Sequence, residues 1–389
     1  MRVLLAFDKF KDSLTAPAAC DLATRALRAA HPDWTIDSAP LADGGEGFCE
    51  ILTRAAGGEL RNFSVAGPLG GKIEATIGFV PLANIPAPAR ALLSLDIGHS
   101  SSDIPPTVAV VEMAAASGLA LLAPELRDPW QTSTAGTGQL IRAAADLGAA
   151  AILLGVGGSA TSDLGLGALG SLGFTFCSSA GALISPPIPS AWSRIARLDG
   201  QVPATLPPIR IACDVTNPLL GPRGAAAIYG PQKGLRPADL QRLDHESARL
   251  GLMLCTHCRQ PDSLMDTPGA GAAGGISFGL MTAARAQLLP GFDLVAAWLD
   301  LDRRLAAADL VITGEGRFDE SSLSGKGPGA VAARALALGK TVHVFAGAVT
   351  ATPRSGLTLH AITPNGISLD QALREASANL SATISCAFP

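Results

Sequence analysis

The stretch Ala149–Gly167 reads AAAILLGVGGSATSDLGLG, and the fold class follows from it. The apolar run Ala150–Leu154 delivers the backbone into Gly155, Gly157 and Gly158. Ser159, Thr161, Ser162 and Asp163 follow, and then a small-residue segment from Leu164 to Gly173. This is the grammar of a buried strand, a glycine turn and a helix start. Glycine admits positive φ and close approach of a ligand. Hydroxyls beside the N–H groups of a helix start suit phosphate or carboxylate. Alone, the stretch reads first as a tight strand–helix turn capped by a hydroxyl. The same grammar recurs along the chain, and the recurrence points beyond the turn.

Working outward, the opening predicts a strand over Arg2–Phe7, a helix over Pro17–Ala30, a strand over Trp34–Ala39 and a helix over Glu46–Ala56. Such a βαβα order implies a parallel sheet. The ending alternates again, with a helix over Val295–Ala308, strands over Asp309–Thr313 and Thr341–Ala346, and a closing helix over Leu369–Thr383. Between them, Glu59–Val80 reads as a hairpin, Thr107–Val111 as a strand, and Asp239–Leu254 and Gly274–Leu289 as helices. Pro81–Pro106 is proline-rich and carries no evident element. A chain of 389 residues exceeds what one core usually holds. The expectation is therefore an α/β protein of two α/β domains. One is a flavodoxin-like open parallel sheet built from residues 1–61 and 291–389, and the other is inserted as residues 62–290.

Composition bounds the function. Hydrophobic residues are 48% and charged residues 16%, so the chain buries a large surface. Net charge is −4 with both signs interspersed, and no basic stripe exists for nucleic acid or an anionic membrane. Leu164–Ser193 is uncharged, but its Gly, Ser and Pro break any spanning helix. MRVLLAFDKFKDS ends in charge too early for a signal peptide and reads as a first strand. Seven Cys without disulfide spacing fit a reduced, cytoplasmic setting, and Cys255-Thr-His-Cys258 lacks the second ligand pair of a zinc site.

Acidic residues are scarce yet gather just after apolar runs: Asp8, Asp43 with Glu46, Glu112, Asp214, and Glu315 with Asp319. Open α/β sheets bind ligands at the carboxyl ends of their strands, where carboxylates hold Mg²⁺ or act as bases. Thr132–Gly138 (TSTAGTG) and Gly269–Gly275 (GAGAAGG) repeat the glycine and hydroxyl theme before helices. Candidate cations are Lys9, Lys11, Lys233, Arg317 and Lys326. Three look-alikes fail. Gly339-Lys-Thr341 leads from helix to strand, the reverse of a P-loop, and Gly275-Ile-Ser-Phe-Gly279 lacks a preceding strand. GVGGSA fits a dinucleotide turn, but the acidic residue required about 20 positions on is missing. The residues alone therefore imply an enzyme for a phosphorylated or carboxylate ligand, with Mg²⁺. A dinucleotide-dependent oxidoreductase of a small hydroxy acid is the alternative.

The run of motifs resembles the bacterial type-I glycerate kinase family. It comprises DKFKDSLTA (Asp8–Ala16), LADGGEG (Leu41–Gly47), GPLG (Gly67–Gly70), VEMAAASGLALL (Val111–Leu122) and TSTAGTGQLI (Thr132–Ile141). It continues through Gly155–Gly173, ACDVTNPLLGPRGAA (Ala212–Ala226), YGPQKG (Tyr229–Gly234), PGAGAAGG (Pro268–Gly275) and VITGEGRFD…GK (Val311–Lys326). Ser162, Leu164 and Glu320-Ser321 depart from the family's pattern without removing a carboxylate. The resemblance implies ATP-dependent, Mg²⁺-assisted phosphorylation of D-glycerate, with 2-phosphoglycerate favoured over 3-phosphoglycerate, by a monomer or homodimer. On this reading Asp214, Asp43, Lys326 and Arg317 are the catalytic candidates, and Asp214, Glu315 and Asp319 the metal candidates. Substrate and phosphates are expected at Asp8, Lys9, Lys11, Glu46, Thr134, Thr137, Gly157, Gly158, Ser159, Thr161, Asn217, Lys233, Gly271 and Gly274. Motifs split between two domains also predict a cleft that closes to exclude water.

Overall fold

The computed structural model describes residues 1–95, 105–320, 322, 327–352 and 354–389. Its strands are β1 (Arg2–Phe7), β2 (Thr35–Ser38), β3 (Glu59–Ala66), β4 (Lys72–Pro81), β5 (Thr107–Glu112), β6 (Ala151–Gly155), β7 (Phe174–Cys177), β8 (Arg197–Gly200), β9 (Ile209–Ala212), β10 (Gln287–Leu289), β11 (Leu310–Phe318), β12 (Thr341–Val349) and β13 (Leu357–Ala361). The chain divides into two compact units, residues 1–43 with 295–389, and residues 44–294.

The first unit is a five-stranded sheet in the order β13-β12-β11-β1-β2, parallel throughout. Val3 to Phe7 are all buried, because a parallel sheet is covered on both faces and its strands read as unbroken apolar runs. Helix Ala16–Ala30 starts at Thr15, whose hydroxyl accepts the Ala18 N–H, and buries Ala19, Cys20, Ala23, Ala26 and Leu27. The strand order is flavodoxin-like, with its reversal between β1 and β11, the position where such sheets open a ligand crevice. Strand β11 runs on to Phe318, so Glu315 and Arg317 lie within the strand rather than in a loop after Thr313. The helix expected over Val295–Ala308 is two, Gly291–Trp298 and Leu301–Ala307, separated at Asp300 with φ 52°.

The second unit carries a six-stranded sheet in the order β10-β9-β6-β5-β4-β3. Strands β10, β9, β6 and β5 are parallel, and β4 and β3 extend them as the expected antiparallel hairpin. The units meet the chain at 43/44 and 294/295, not at the expected 61/62 and 290/291. Helix Phe48–Ala55 belongs with the inserted unit because it packs on β4 and β5. Glu112, at the end of β5, accepts the N–H groups of Gly47 and Cys49 and anchors that helix start. Strand β3 follows into the same sheet. Within Pro81–Pro106 the structure forms a short turn at Leu82–Asn84 and a helix at Ala87–Leu93, while residues 96–104 lie outside the described residues. The expected helix over Gly274–Leu289 is shorter, Ile276–Ala284, and gives way to β10. Strands β7 and β8 form a separate small hairpin.

Candidate active site

In the first unit the carboxylates collect at the switch point. Phe7 pairs with Gly314 across β1 and β11, so Asp8 and Glu315 leave adjacent strand positions together. Asp8 is 8% exposed, its N–H donates to Gly314 O, and its carboxylate accepts the Lys9 N–H at 2.7 Å. Burial, then the charge of Asp43, push the Asp8 carboxyl up to about 7, against the pull of Lys9. Glu315 is raised as well, first by burial and then by the Asp319 and Asp43 charges, with a hydrogen bond to Ser322 opposing. Glu315 Oε1 is buried, and among the described residues no donor reaches it. Lys9 Nζ pairs with Asp43 Oδ1 at 3.1 Å, and Arg317 pairs with Asp319 at 3.3 Å. Lys11 is exposed, and Lys326 lies outside the described residues.

The stretch Ala149–Gly167 sits in the second unit, and Gly157 and Gly158 pack against the chain itself. The Gly157 N–H donates to Gly44 O, and a Cβ on Gly157 would lie 2.6 Å from Gly45 N. At Gly158 (φ +69°) a Cβ would lie 2.6 Å from a carboxylate oxygen of Glu46. The DGGEG turn therefore packs against the Cα side of these glycines, and the Gly157 N–H, expected at a phosphate, is committed to Gly44.

Asp163 is the hub beneath the loop. It is fully buried and accepts the Thr134 N–H and hydroxyl, each at 2.8 Å, and the N–H groups of Gly165 and Gly167. Thr134 is thereby spent on Asp163 and on the Ala168 N–H it accepts, and Thr137 is buried against Ser117. Both hydroxyls, expected at the substrate, are committed to partners within the chain. Lys233 is likewise not a surface cation. It is 1% exposed and donates to Ser159 Oγ at 2.9 Å and Thr161 O at 2.6 Å. Burial pulls its pKa down to about 7, with the Asp163 charge opposing. Thr161 Oγ1 and Ser162 Oγ are buried beside it and, among the described residues, without hydrogen-bond partners.

The run Gly269–Gly275 is a packing device too. The N–H groups of Gly269 and Gly271 go to Asn217 O. A Cβ at Gly271 would lie 2.2 Å from Pro218 O, and one at Gly274 would lie 2.0 Å from Thr161 O. Asn217 uses its own side chain on Arg223 O and the Tyr229 hydroxyl. These three expected ligand contacts are internal. Asp214, just past β9, accepts the Phe292 N–H through both oxygens at the start of helix Gly291–Trp298, the service an N-cap side chain gives. The sequence reading missed the hub role of Asp163 and the anchoring role of Glu112. Two of the four donors on Asp163 come from Gly165 and Gly167 just after it, as in any turn, and the two that make it a hub come from Thr134, 29 positions earlier, where no local signal marks the pairing.

Among the described residues no helix is long and apolar enough to cross a membrane. The sequence profile of the Glycerate kinase family matches residues 3–388. The chain is 36% identical over 385 residues to a glycerate kinase of Bacillus subtilis, covering 97% of this chain and 94% of that one. It is 38% identical over 354 residues to a glycerate 2-kinase of Escherichia coli, covering 90% and 86%. A crystal structure from Salmonella typhimurium LT2, assigned as a glycerate kinase 2, superposes with a TM-score of 0.75 at 35% identity, covering 100% of this chain and 97% of that one. With one parallel and one mixed sheet, a carboxylate cluster at a flavodoxin-like switch point and a match from one end to the other, the chain belongs to the glycerate kinase family.

Proposed function

We propose that this chain transfers the γ-phosphoryl group of ATP to D-glycerate and yields 2-phosphoglycerate. Membership of the family supports the kinase reading, and the Escherichia coli relative named glycerate 2-kinase supports the regiochemistry. The observation that carries the site is the orphaned, buried Glu315 Oε1 with the buried Asp8 and the exposed Asp43 close enough to act on it or on each other, a negative cluster that calls for a cation. Among the described residues no three Asp, Glu, His or Cys side chains form a complete metal site. That suits Mg²⁺, which keeps its waters and is typically held by one or two carboxylates plus substrate phosphates. Glu315 and Asp319 are the residues proposed to hold it. Bound there, Mg²⁺ would neutralise the charge on the phosphate oxygens.

Asp8 is the proposed acceptor of the proton from the glycerate hydroxyl, since a carboxyl raised towards 7 is matched to base work near neutrality. Lys9, held by Asp43, is proposed to orient the glycerate carboxylate, with Arg317 and Lys11 as further cations. In the second unit, the donors proposed for phosphate narrow to Gly158 and Ser159, because the Gly157 and Ala160 N–H groups are spent on Gly44 and Ser117 carbonyls. Lys233 positions that loop from beneath. The dinucleotide alternative loses its footing, since the glycine that should let a pyrophosphate approach is filled by Gly45.

The test is a coupled assay with Mg-ATP and D-glycerate, followed by phosphorus NMR of the product. Phosphate on the 2-hydroxyl is the expected result, and absence of turnover overturns the reading. Asp214 enters through its charge. Asn caps a helix about as well as Asp, so Asp214→Asn is expected to leave stability within about 0.5 kcal/mol and to lower kcat at least about tenfold. Turnover within twofold of the parent would reduce Asp214 to a cap.

A further inference from the structure

We infer that the second unit carries a binding pocket for a small molecule bearing phosphate or carboxylate groups, formed by Arg259, Arg285 and His257. A cavity of about 750 Å³ is lined by these three residues and by an apolar wall that includes Phe174, Val202 and Leu206. That volume suits a metabolite of nucleotide size. The cavity belongs to the N-terminal edge of the sheet. Residues 200–206 lead into β9 and residues 282–286 lead into β10, whereas Gly155–Gly158 and Asp214 follow the C-terminal ends of β6 and β9. The pocket is therefore separated from those residues by the length of the strands, at about 3.3 Å per residue.

Two independent observations point to an anion. Helix Leu240–Cys258 ends on Arg259 with φ 53°, and helix Ile276–Ala284 ends on Arg285 with φ 54°. Both are left-handed positions where glycine is the unstrained choice, so two arginines there carry backbone strain. Strain of this kind collects at ligand clamps. The guanidinium groups are also set for use. Arg285 donates to Gln260 Oε1 at 3.0 Å, and Gln260 Nε2 donates to the Cys258 and Arg259 carbonyls, which ties the two helix ends together. Among the described residues neither arginine has a carboxylate partner. His257 is held by Gly200 O at 2.7 Å with its ring against Phe174. Arg259 and Arg285 both line the one cavity, and the planar guanidinium fork matches the geometry of phosphate or carboxylate oxygens.

Calorimetric titration of the full chain with AMP and, separately, with citrate tests the pocket and tells the two oxyanion classes apart. Binding of either probe, weakened at least tenfold in R259G/R285G with kcat and KM for glycerate unchanged, is the expected result. Glycine relieves the left-handed strain, so the double variant is expected to melt no lower than the parent. Binding of AMP at a nucleotide site elsewhere would survive in the double variant and is subtracted. Should that variant not fold, R259Q and R285Q singly are each expected to weaken binding threefold or more. No binding of either probe at millimolar concentration, or equal binding by parent and variants, overturns the inference.

Discussion

Replacing Asp8 by Asn is expected to lower kcat by about 10²–10⁴-fold, the span that loss of a general base commands, and to raise the melting temperature in Mg²⁺-free buffer. Both effects follow from one placement. Asp8 leaves β1 where the sheet order reverses, is 8% exposed, and faces the charges of Asp43 and Glu315. Burying a negative charge next to two others costs stability, and Asn removes that cost. It also keeps the oxygen that accepts the Lys9 N–H, so the turn after β1 survives. A position that improves in stability when neutralised, and fails in turnover, carries its charge for chemistry rather than for folding. Steady-state kinetics in the coupled assay read the first effect and calorimetry reads the second. A variant with parental kcat would remove Asp8 from the reaction, whatever its melting temperature.

The sheet of the first unit was legible because its strands are covered on both faces. Arg2–Phe7 and Leu310–Thr313 read as apolar runs with charge just beyond, and that pattern has no competing interpretation. The inner boundary was not legible. Helix Phe48–Ala55 follows β2 with the spacing of a βα unit, and what assigns it to the other sheet is Glu112, more than 60 residues later. The helix Ala87–Leu93 was hidden for a similar reason. Its proline content argues against structure, while the partner of its last carbonyls is the Arg210 guanidinium, more than 100 residues on. At the site, glycine runs signal that something approaches the backbone closely, but not what. For Gly157, Gly271 and Gly274 the approaching group is this chain's own Gly45, Pro218 and Thr161. The positions of Asp8 and Asp214 just past β1 and β9 were legible, because the carboxyl end of a parallel strand is a position the sequence does encode.

Asp163 exposes the same gap from the side of stability. Asp163→Ala is expected to destabilise the chain by about 3–5 kcal/mol, the cost typical of breaking a buried charged network on one side. The reasoning starts from the donors. Three backbone N–H groups, of Thr134, Gly165 and Gly167, and the Thr134 hydroxyl converge on one buried carboxylate. Each buried donor left without an acceptor costs about 1–3 kcal/mol, and part of that is offset because the carboxylate's own burial was unfavourable. The remainder comes from Lys233, buried in the same interior, whose charge loses its opposing partner. The sign of the pH dependence follows. Burial already holds Lys233 near 7 against a usual 10.5, so between those values the unfolded chain binds more protons than the folded one. This group therefore makes stability rise with pH across that window. Without Asp163 its pKa falls further, and the window opens at lower pH. Urea denaturation of parent and variant at pH 6 and pH 9 measures both effects. The stability gap between them is expected to be wider at pH 6, where Lys233 carries its proton and most feels the loss of the opposing charge. A loss under 1 kcal/mol, or a gap independent of pH, would show that the loop from Gly155 to Gly167 does not depend on this buried pair.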